Sequence, residues 1–276
     1  MKRPARLALA LLLCVASAAA AQFGRGGFNV RARYATAEDF GHGFNFCRGM
    51  YTMGRREAGG QGWSTDYPDA ERNFSIRLGE LTRTRISRGS GEGQNDGEPN
   101  FLVVRLIDDL LFQCPYLHME DVGTVAFTEP EVDGLRRYLL KGGFLWVDDF
   151  WGSYAWTNWE REIGRVLPPA EFPIRDLTPD HPVFRSQFEV SELPQIPSIQ
   201  FWRTSGGGIS ERGSDSADPH IRAISDEHGR VMVLMTHNTD ISDGWEREGE
   251  DPRYFYNFSP GSYAVGINVL MYAMTH

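Results

Sequence analysis

The stretch from residue 127 to 153, FTEPEVDGLRRYLLKGGFLWVDDFWGS, constrains the fold more than any other part of the chain. Thr128, with Glu131 three residues later, predicts a capping box at the start of an amphipathic helix. The Gly142–Gly143 pair then ends the helix, because glycine adopts the left-handed backbone without a Cβ clash. The apolar run FLWV at 144–147 is typical of a strand covered on both faces. The stretch therefore predicts a helix, a tight turn and a buried strand.

Strands and helices alternate along much of the remaining chain. Apolar runs predict strands at 28–34, 101–106, 116–119, 221–225 and 231–236. Helical periodicity predicts helices at 68–81, 156–167 and 260–274. Alternation of this kind favours an α/β fold with a mostly parallel central sheet, and we expect a single such domain over residues 28–276.

Three segments lack this periodicity. Residues 37–67 are rich in glycine, aromatic and charged residues and predict a long irregular excursion. Residues 87–100 and 205–219 are rich in glycine, serine and charged residues, and we expect both to be flexible loops.

Composition limits the classes of partner. The chain has 276 residues, of which 41% are hydrophobic, so it can bury a sizeable core. Its net charge of -9 argues against nucleic acid as a partner, because phosphate binding requires a basic face. We expect the partner to be an unknown ligand or a protein of the cell envelope.

The amino terminus predicts a secretory signal peptide over residues 1–21, followed by a flexible leader at 22–27. Basic residues precede an apolar stretch and a run of small residues, which is the order that signal peptidase recognises. No later stretch has the roughly 20 apolar residues of a membrane span. We expect an exported protein, periplasmic or secreted, without a stable membrane span after cleavage.

Signal cleavage leaves two cysteines, Cys47 and Cys114. Two separated cysteines carry no framework pattern, so the sequence leaves open a disulfide or two buried free thiols.

Polar residues directly after apolar strands are the best candidates for a site, because ligands of open α/β sheets bind beyond the carboxyl ends of the strands. Three predicted strands end in this way. The residues concerned are His118, Glu120 and Asp121, then Asp148 and Asp149, then His237, Asn238 and Asp240.

The pair Asp148 and Asp149 gives the sharpest prediction. Neighbouring strand residues point to opposite faces, so one of the two is expected to face a pocket. The alternative is that these aspartates cap the helix that follows.

The segment 236–248, THNTDISDGWERE, concentrates polar groups after the last long strand. Asp240, Asp243 and Glu246 with His237 have ligand types that a cation accepts, but their spacing matches no established metal motif. The alternative is an aspartate-rich turn that bonds to itself, with Trp245 as an aromatic lid. We therefore assign no metal and no cofactor.

Several short motifs occur together in a fixed order. They are CPYLHM, LLKGGFLWVDD, DHPVF, HNTDISDGWE and GINVLMYA. In this order they resemble the domain of unknown function 4159 family over roughly residues 28 to 275. That family in turn resembles the class I glutamine amidotransferase-like fold, which implies a three-layer, flavodoxin-like domain.

The resemblance implies a location for the site but no reaction. Amidotransferases place a nucleophilic cysteine at the turn after the strand that matches 144–147. Here the turn reads DDFWGS, and Cys114 precedes a different strand. Amidotransferase chemistry is therefore not expected.

Three functions remain open. The first is ligand or partner binding without that nucleophile. The second is a hydrolase of a carbohydrate or another polar substrate, in which an aspartate is base or nucleophile and a cation assists. The third is a structural or assembly protein of the cell envelope. The expected catalytic residues are Asp148, Asp149 and His237. The expected ligand-binding residues are Trp151, Asn238, Asp240, Asp243, Trp245 and His118.

Overall fold

A computed structural model describes residues 32–57, 59–91 and 94–276. The predicted signal peptide and leader lie outside the described residues, as does most of the predicted strand at 28–34. Nine strands are present in the described part of the chain: β1 Phe46–Met50, β2 Arg88–Gly91, β3 Gln94–Pro99, β4 Phe101–Arg105, β5 Tyr116–Met119, β6 Phe144–Val147, β7 Arg175–Asp176, β8 His220–Ser225 and β9 Val231–His237.

Seven of these strands form one sheet in the order β4-β1-β5-β6-β9-β8-β7. The pairs from β4 to β9 are parallel, whereas β8 pairs antiparallel with both β9 and β7. Strands β2 and β3 form a separate antiparallel hairpin. The mostly parallel sheet predicted from the sequence is confirmed.

Helices cover both faces of the sheet. They are α1 Asp69–Thr82, α2 Glu129–Leu140, α3 Gly152–Val166, α4 Ile199–Thr204, α5 Asp243–Glu246 and α6 Pro252–Thr275. Helices α2 and α3 pack with the side chains of one sheet face, and α1 and α6 pack with the other. The domain is therefore a three-layer α/β arrangement.

Side chains of β5 and β6 alternate between the two layers of core. Leu145 and Val147 pack on the α2 and α3 side, whereas Phe144 and Trp146 pack on the α1 and α6 side. By the same alternation, His118 of β5 faces the α1 and α6 side, where its ring packs edge-on against Trp146. Successive polar residues at the ends of these strands therefore point to opposite faces of the sheet.

The helix, turn and strand predicted from 127–153 are confirmed. The Thr128 backbone N–H donates to Glu131 Oε2 at 2.8 Å at the start of α2. Gly142 has φ +102°, the left-handed conformation that ends the helix, and all four residues of β6 are buried.

The prediction for 37–67 was wrong, because the central strand β1 lies inside it. Its sequence FCRGM lacks the continuous apolar run that usually marks a buried strand, because an arginine and a glycine interrupt it. Arg48 is buried because Glu71 pairs with it, and Gly49 is required because a Cβ there would lie 2.8 Å from Met119.

The prediction of a flexible loop at 87–100 was also wrong, because β2 and β3 form a hairpin there. The Asn100 backbone N–H donates to Ser87 O at 2.8 Å, and both side chains are buried. Backbone hydrogen bonds hold this hairpin together. Its sequence therefore needs no alternation of hydrophobic residues, and it shows none from which the strands could be predicted.

Two helices begin earlier than the periodicity predicts. Helix α6 starts at Pro252, with Asp251 accepting the Arg253 backbone N–H at 2.8 Å, and Pro260 lies inside the helix. Helix α3 starts at Gly152, immediately after the DDFW turn. No helix in the described part of the chain is both long and apolar enough to cross a membrane.

Cys47 and Cys114 form a disulfide with their Cα atoms 6.1 Å apart. It joins β1 to the residues before β5 and resolves the alternatives that the sequence left open.

Candidate functional site

Eight acidic residues gather beyond the carboxyl ends of the central parallel strands. We call them the acidic cluster: Asp66, Glu120, Asp121, Asp148, Asp149, Asp240, Asp243 and Glu246. Asp66 precedes α1, and the others follow β5, β6 and β9. Because parallel strands end at one edge of the sheet, residues far apart in sequence meet there.

Asp148 fastens the segment after β9 to the end of β6. Its Oδ1 accepts the Thr236 hydroxyl at 2.5 Å, and its Oδ2 accepts the backbone N–H groups of Ile241 and Ser242 at 2.7 and 3.1 Å. Burial and the charge of Glu120 raise the pKa of Asp148 well above its ordinary value. Its hydrogen bonds make it a positioning group for this segment.

A buried ionic network lies next to Asp148. Arg48 contacts Glu71 at 2.5 Å and Glu120 at 3.4 Å, and all three side chains are fully buried. Glu120 Oε1 also contacts His118 Nε2 and the Ser242 hydroxyl. Burial lowers the pKa of His118, which favours a neutral ring.

Asp149 is the partly exposed member of this strand end. It has φ +51°, and its Oδ1 accepts the Trp151 indole N–H at 3.0 Å. Burial and the charge of Asp121 raise its pKa well above the ordinary value. Its backbone conformation is one that residues with a Cβ rarely adopt, and such strain clusters at functional sites.

The first amides of α3 have other acceptors. The Gly152 N–H donates to Asn238 Oδ1 at 2.8 Å, and the Ser153 N–H donates to Asp215 Oδ2 at 2.9 Å. Helix capping therefore does not account for Asp148 or Asp149 at this helix.

Asp121 has φ +49° and its Oδ2 accepts the Gly62 N–H at 2.8 Å. Its Oδ1 is buried and has no hydrogen-bond partner among the described residues. Burial and the charge of Glu57 raise the pKa of Asp121 to about 8. No ion pair joins this carboxyl group to a described basic residue, and it interacts instead with another acid, Glu57.

Asp66, Asp240 and Asp243 form the second part of the cluster. Each places a carboxylate oxygen within 4.8 Å of the other two. His118, Glu120 and Asp148 are as closely grouped, also within 4.8 Å. Burial and the charge of neighbouring carboxylates raise the pKa of Asp240 well above its ordinary value.

The cluster holds more acidic groups than basic neighbours. Arg48 pairs with Glu120, and Arg247 contacts Glu246 at 2.6 Å and Asp243 at 3.6 Å. Five members have no ion pair with a described basic residue: Asp66, Asp121, Asp148, Asp149 and Asp240. The arrangement is suited to protons or to a positively charged ligand.

His237 lies apart from these acids. Its Nε2 contacts Gly152 O at 3.1 Å, its Nδ1 lies 3.4 Å from the Arg222 guanidinium, and its ring packs against Phe150 and Trp156. Burial lowers the pKa of His237 to about 4. It points away from Thr236, the neighbour that bonds Asp148, because successive strand residues face opposite sides.

The other predicted ligand-binding residues have mixed placements. Trp245 is fully buried against Phe74 and Trp146, so it packs in the core. Trp151 is 4% exposed beside Asp149, and Asn238 ties β9 to the start of α3.

Sequence reasoning missed Asp66, Arg48 and Glu71. Asp66 and Arg48 lie in the segment predicted to be irregular, and Glu71 lies in a helix whose outer face is also charged. A buried charge has no local signal when its partner is distant in sequence.

No curated protein sequence matches this chain. The chain does match the family described as Domain of unknown function (DUF4159) over residues 52–274, which include β2 to β9 and the whole acidic cluster. This match covers most of the chain, and the protein therefore belongs to the DUF4159 family.

Proposed function

We propose that this protein is an exported, flavodoxin-like domain that binds a positively charged ligand at the acidic cluster. The five parallel strands support the fold assignment. Numbered by their order in the chain, they lie in the sheet as 2-1-3-4-5, which is the order of doubly wound flavodoxin-like sheets.

Sheet order also supports the place of binding. In this fold ligands lie beyond the strand ends where the strand order reverses, here between β1 and β5. Asp121 follows β5 closely, and Asp149 follows the neighbouring β6. The ligand-facing groups in this proposal are Asp121 and Asp149.

The observation that carries the proposal is a group of buried acids that have no basic partner. Five carboxylates share a mostly buried volume without an ion-pair partner among the described residues. Isolated buried carboxylates cost several kcal/mol unless they are protonated or meet a cation. An ammonium, a guanidinium or a metal ion supplies the missing charge.

Export is a separate part of the proposal. It rests on the signal pattern at residues 1–21 and is supported by the disulfide between Cys47 and Cys114, since disulfides persist mainly in oxidising compartments.

A hydrolase is the second candidate, and the environment of Asp121 favours it. Asp121, with a pKa of about 8, retains its proton at neutral pH, as a general acid requires. Asp149 lies close enough to interact electrostatically with it, and because its own pKa is raised, it would act as base or nucleophile only after a bound cation has displaced its proton. In this hydrolase mechanism His237 takes no direct part.

Titration calorimetry of the purified full chain tests the binding proposal. We expect spermidine, argininamide or a tetramer of glucosamine to bind, while the uncharged tetramer of N-acetylglucosamine does not. Asp149→Asn should weaken binding about tenfold, equivalent to about 1.4 kcal/mol. Asp133→Asn removes the same charge from an exposed position on α2 and is the matched control.

Two results would contradict the proposal. One is that none of the cationic probes binds. The other is that Asp149→Asn and Asp133→Asn bind equally well. Release of glucosamine from the tetramer by the wild-type chain, and its loss in Asp121→Asn, would favour the hydrolase.

A further inference from the structure

Asp66, Asp240 and Asp243 bring carboxylate oxygens within 4.8 Å of one another. They come from three places: the turn before α1, the segment after β9, and the start of α5. Oxygen atoms at this spacing can share one ion, because hard divalent cations bind oxygen at about 2.0–2.6 Å.

Asp66 supplies an independent sign of a missing ligand. Asp66 is only 9% exposed, its Oδ2 accepts no hydrogen bond from a basic or neutral donor among the described residues, and the group that interacts with it is another acid, Glu246. The Asp66 backbone is in the left-handed conformation, with φ +61°. A buried carboxylate oxygen without a donor is costly, so it indicates a ligand that the site is built to hold.

The other two carboxylates are already fixed in position. Asp243 Oδ2 accepts the Ile199 N–H and the Tyr254 hydroxyl, both at 2.8 Å. Asp240 Oδ1 accepts the Asp243 N–H at 2.8 Å. Each aspartate thus uses one oxygen for positioning. Asp240 keeps Oδ2 for an ion, whereas Asp243 Oδ1 lies 3.6 Å from Arg247 Nε and would be shared between that group and an ion.

The neighbouring group of His118, Glu120 and Asp148 is a poorer site. Both oxygens of Asp148 already accept hydrogen bonds, and Glu120 Oε1 already contacts His118. The Arg48 guanidinium lies 3.4 Å from the same Glu120 oxygen and would repel a cation.

We propose that Asp66, Asp240 and Asp243 bind a hard divalent cation, of which Ca²⁺ fits best. This inference rests on the proposed function, because the ion is one form of the positive ligand proposed for the acidic cluster. All three ligands are carboxylates, which calcium prefers, whereas structural zinc prefers nitrogen and sulfur. Calcium also accepts irregular geometry, and waters complete its shell.

Arg247 is the basic group that competes for this place. Its Nε lies 3.6 Å from Asp243 Oδ1, but it lies closer to Glu246, at 2.6 Å, and its Nη1 contacts Glu250 at 2.8 Å. Glu246 and Glu250 hold the Arg247 guanidinium close to Asp243. Among the described residues, no ion pair joins this guanidinium to Asp66 or Asp240.

Calorimetric titration of the chelator-treated full chain with CaCl₂, MgCl₂ and MnCl₂ tests this site. We expect saturable binding of one Ca²⁺ per chain and a rise in melting temperature. Asp66→Asn and Asp240→Asn should each weaken binding at least about tenfold. The control Asp133→Asn should bind as the wild type does.

Folding is checked in the same samples. Without cation, Asp66→Asn and Asp240→Asn should melt at or above the wild-type temperature, because each replaces an acid that is buried among other acids by a neutral amide. The site is refuted if none of the three cations binds the wild type, or if both variants bind Ca²⁺ as tightly as Asp133→Asn.

These titrations distinguish a failure of the cation site from a failure of the proposed function. If the chelator-treated chain binds spermidine but none of the three cations, the cation site alone fails. If Ca²⁺ binds and no organic probe does, the organic-ligand form of the proposed function fails.

Discussion

Asn238, at the end of β9, accepts the Gly152 backbone N–H through its side-chain oxygen at 2.8 Å. The bond joins the residue after β9 to the first residue of α3, 86 residues away in the chain. Asn238 also has φ +63°, a conformation that asparagine tolerates better than most residues. One residue therefore fixes both its own turn and the start of α3.

Replacing Asn238 should separate these two contributions. Asn238→Ala loses the acceptor and adds backbone strain, so it should lower the free energy of unfolding by about 2–4 kcal/mol. Asn238→Gly loses the acceptor but tolerates the backbone, so it should cost about 1–3 kcal/mol. Urea denaturation followed by tryptophan fluorescence measures both. Equal losses in the two variants would show that the left-handed backbone carries no cost.

Arg48 should be required for stability. Arg48→Met leaves Glu71 and Glu120 buried without their cation, which should cost about 3–5 kcal/mol of unfolding free energy. Arg185→Met, at an exposed position, should change it by less than about 0.5 kcal/mol. The comparison uses the same urea titration. A loss below about 1 kcal/mol for Arg48→Met would contradict the buried network.

The disulfide should stabilise the fold measurably. Cys47 and Cys114 are separated by 67 residues, and removing a bond that closes a loop of this kind costs about 2–5 kcal/mol. We expect dithiothreitol to lower the melting temperature of the wild type. It should leave the Cys47→Ser/Cys114→Ser double variant unchanged, and an equal shift in both proteins would assign the effect to the reagent.

Stability should fall as the pH rises through the neutral range. The folded pKa values of Asp121 and Glu246 are both raised to about 8, above their ordinary values of 3.8 and 4.5. Each group therefore favours the folded state fully below its unfolded pKa, and this contribution is lost as the pH rises towards 8. The slope is at most about 1.4 kcal/mol per pH unit for each group.

Melting temperatures measured in cation-free buffers from pH 4.5 to 8.5 test this dependence. Asp121→Asn/Glu246→Gln should flatten the decline, because neither replacement titrates. A wild-type melting temperature that is constant or rises over this range would contradict the assignment.

Much of the central layer was predictable from local signals. The 127–147 unit carries its cap, its stop and its buried strand within 21 consecutive positions of sequence, so no distant partner is needed to specify it. Strands β5 and β6 match their predicted bounds because each is a short, mostly apolar run whose four residues are all buried. The strand β1 was missed because its Arg48 reads as exposed until Glu71, 23 residues away, is placed beside it.

The candidate site, too, was predicted only in part from local sequence signals. The strand-end rule located Asp148, Asp149 and Asp240, since the rule needs only the end of an apolar run. It also selected His237, whose side chain faces the other layer of the core. Alternation along a strand sorts neighbours to opposite faces, but which face carries the site depends on what packs there.

The sequence by itself determined the alternation of elements, the central helix and strand, and the absence of a cysteine at the DDFWGS turn. Only the tertiary structure decided that Asp66 meets Asp240 and Asp243, that Asp148 positions a loop, and that Cys47 bonds Cys114. The reason is physical. Helix caps and apolar runs act between near neighbours, whereas a carboxylate's pKa and partners depend on whichever charges the fold brings within a few ångströms.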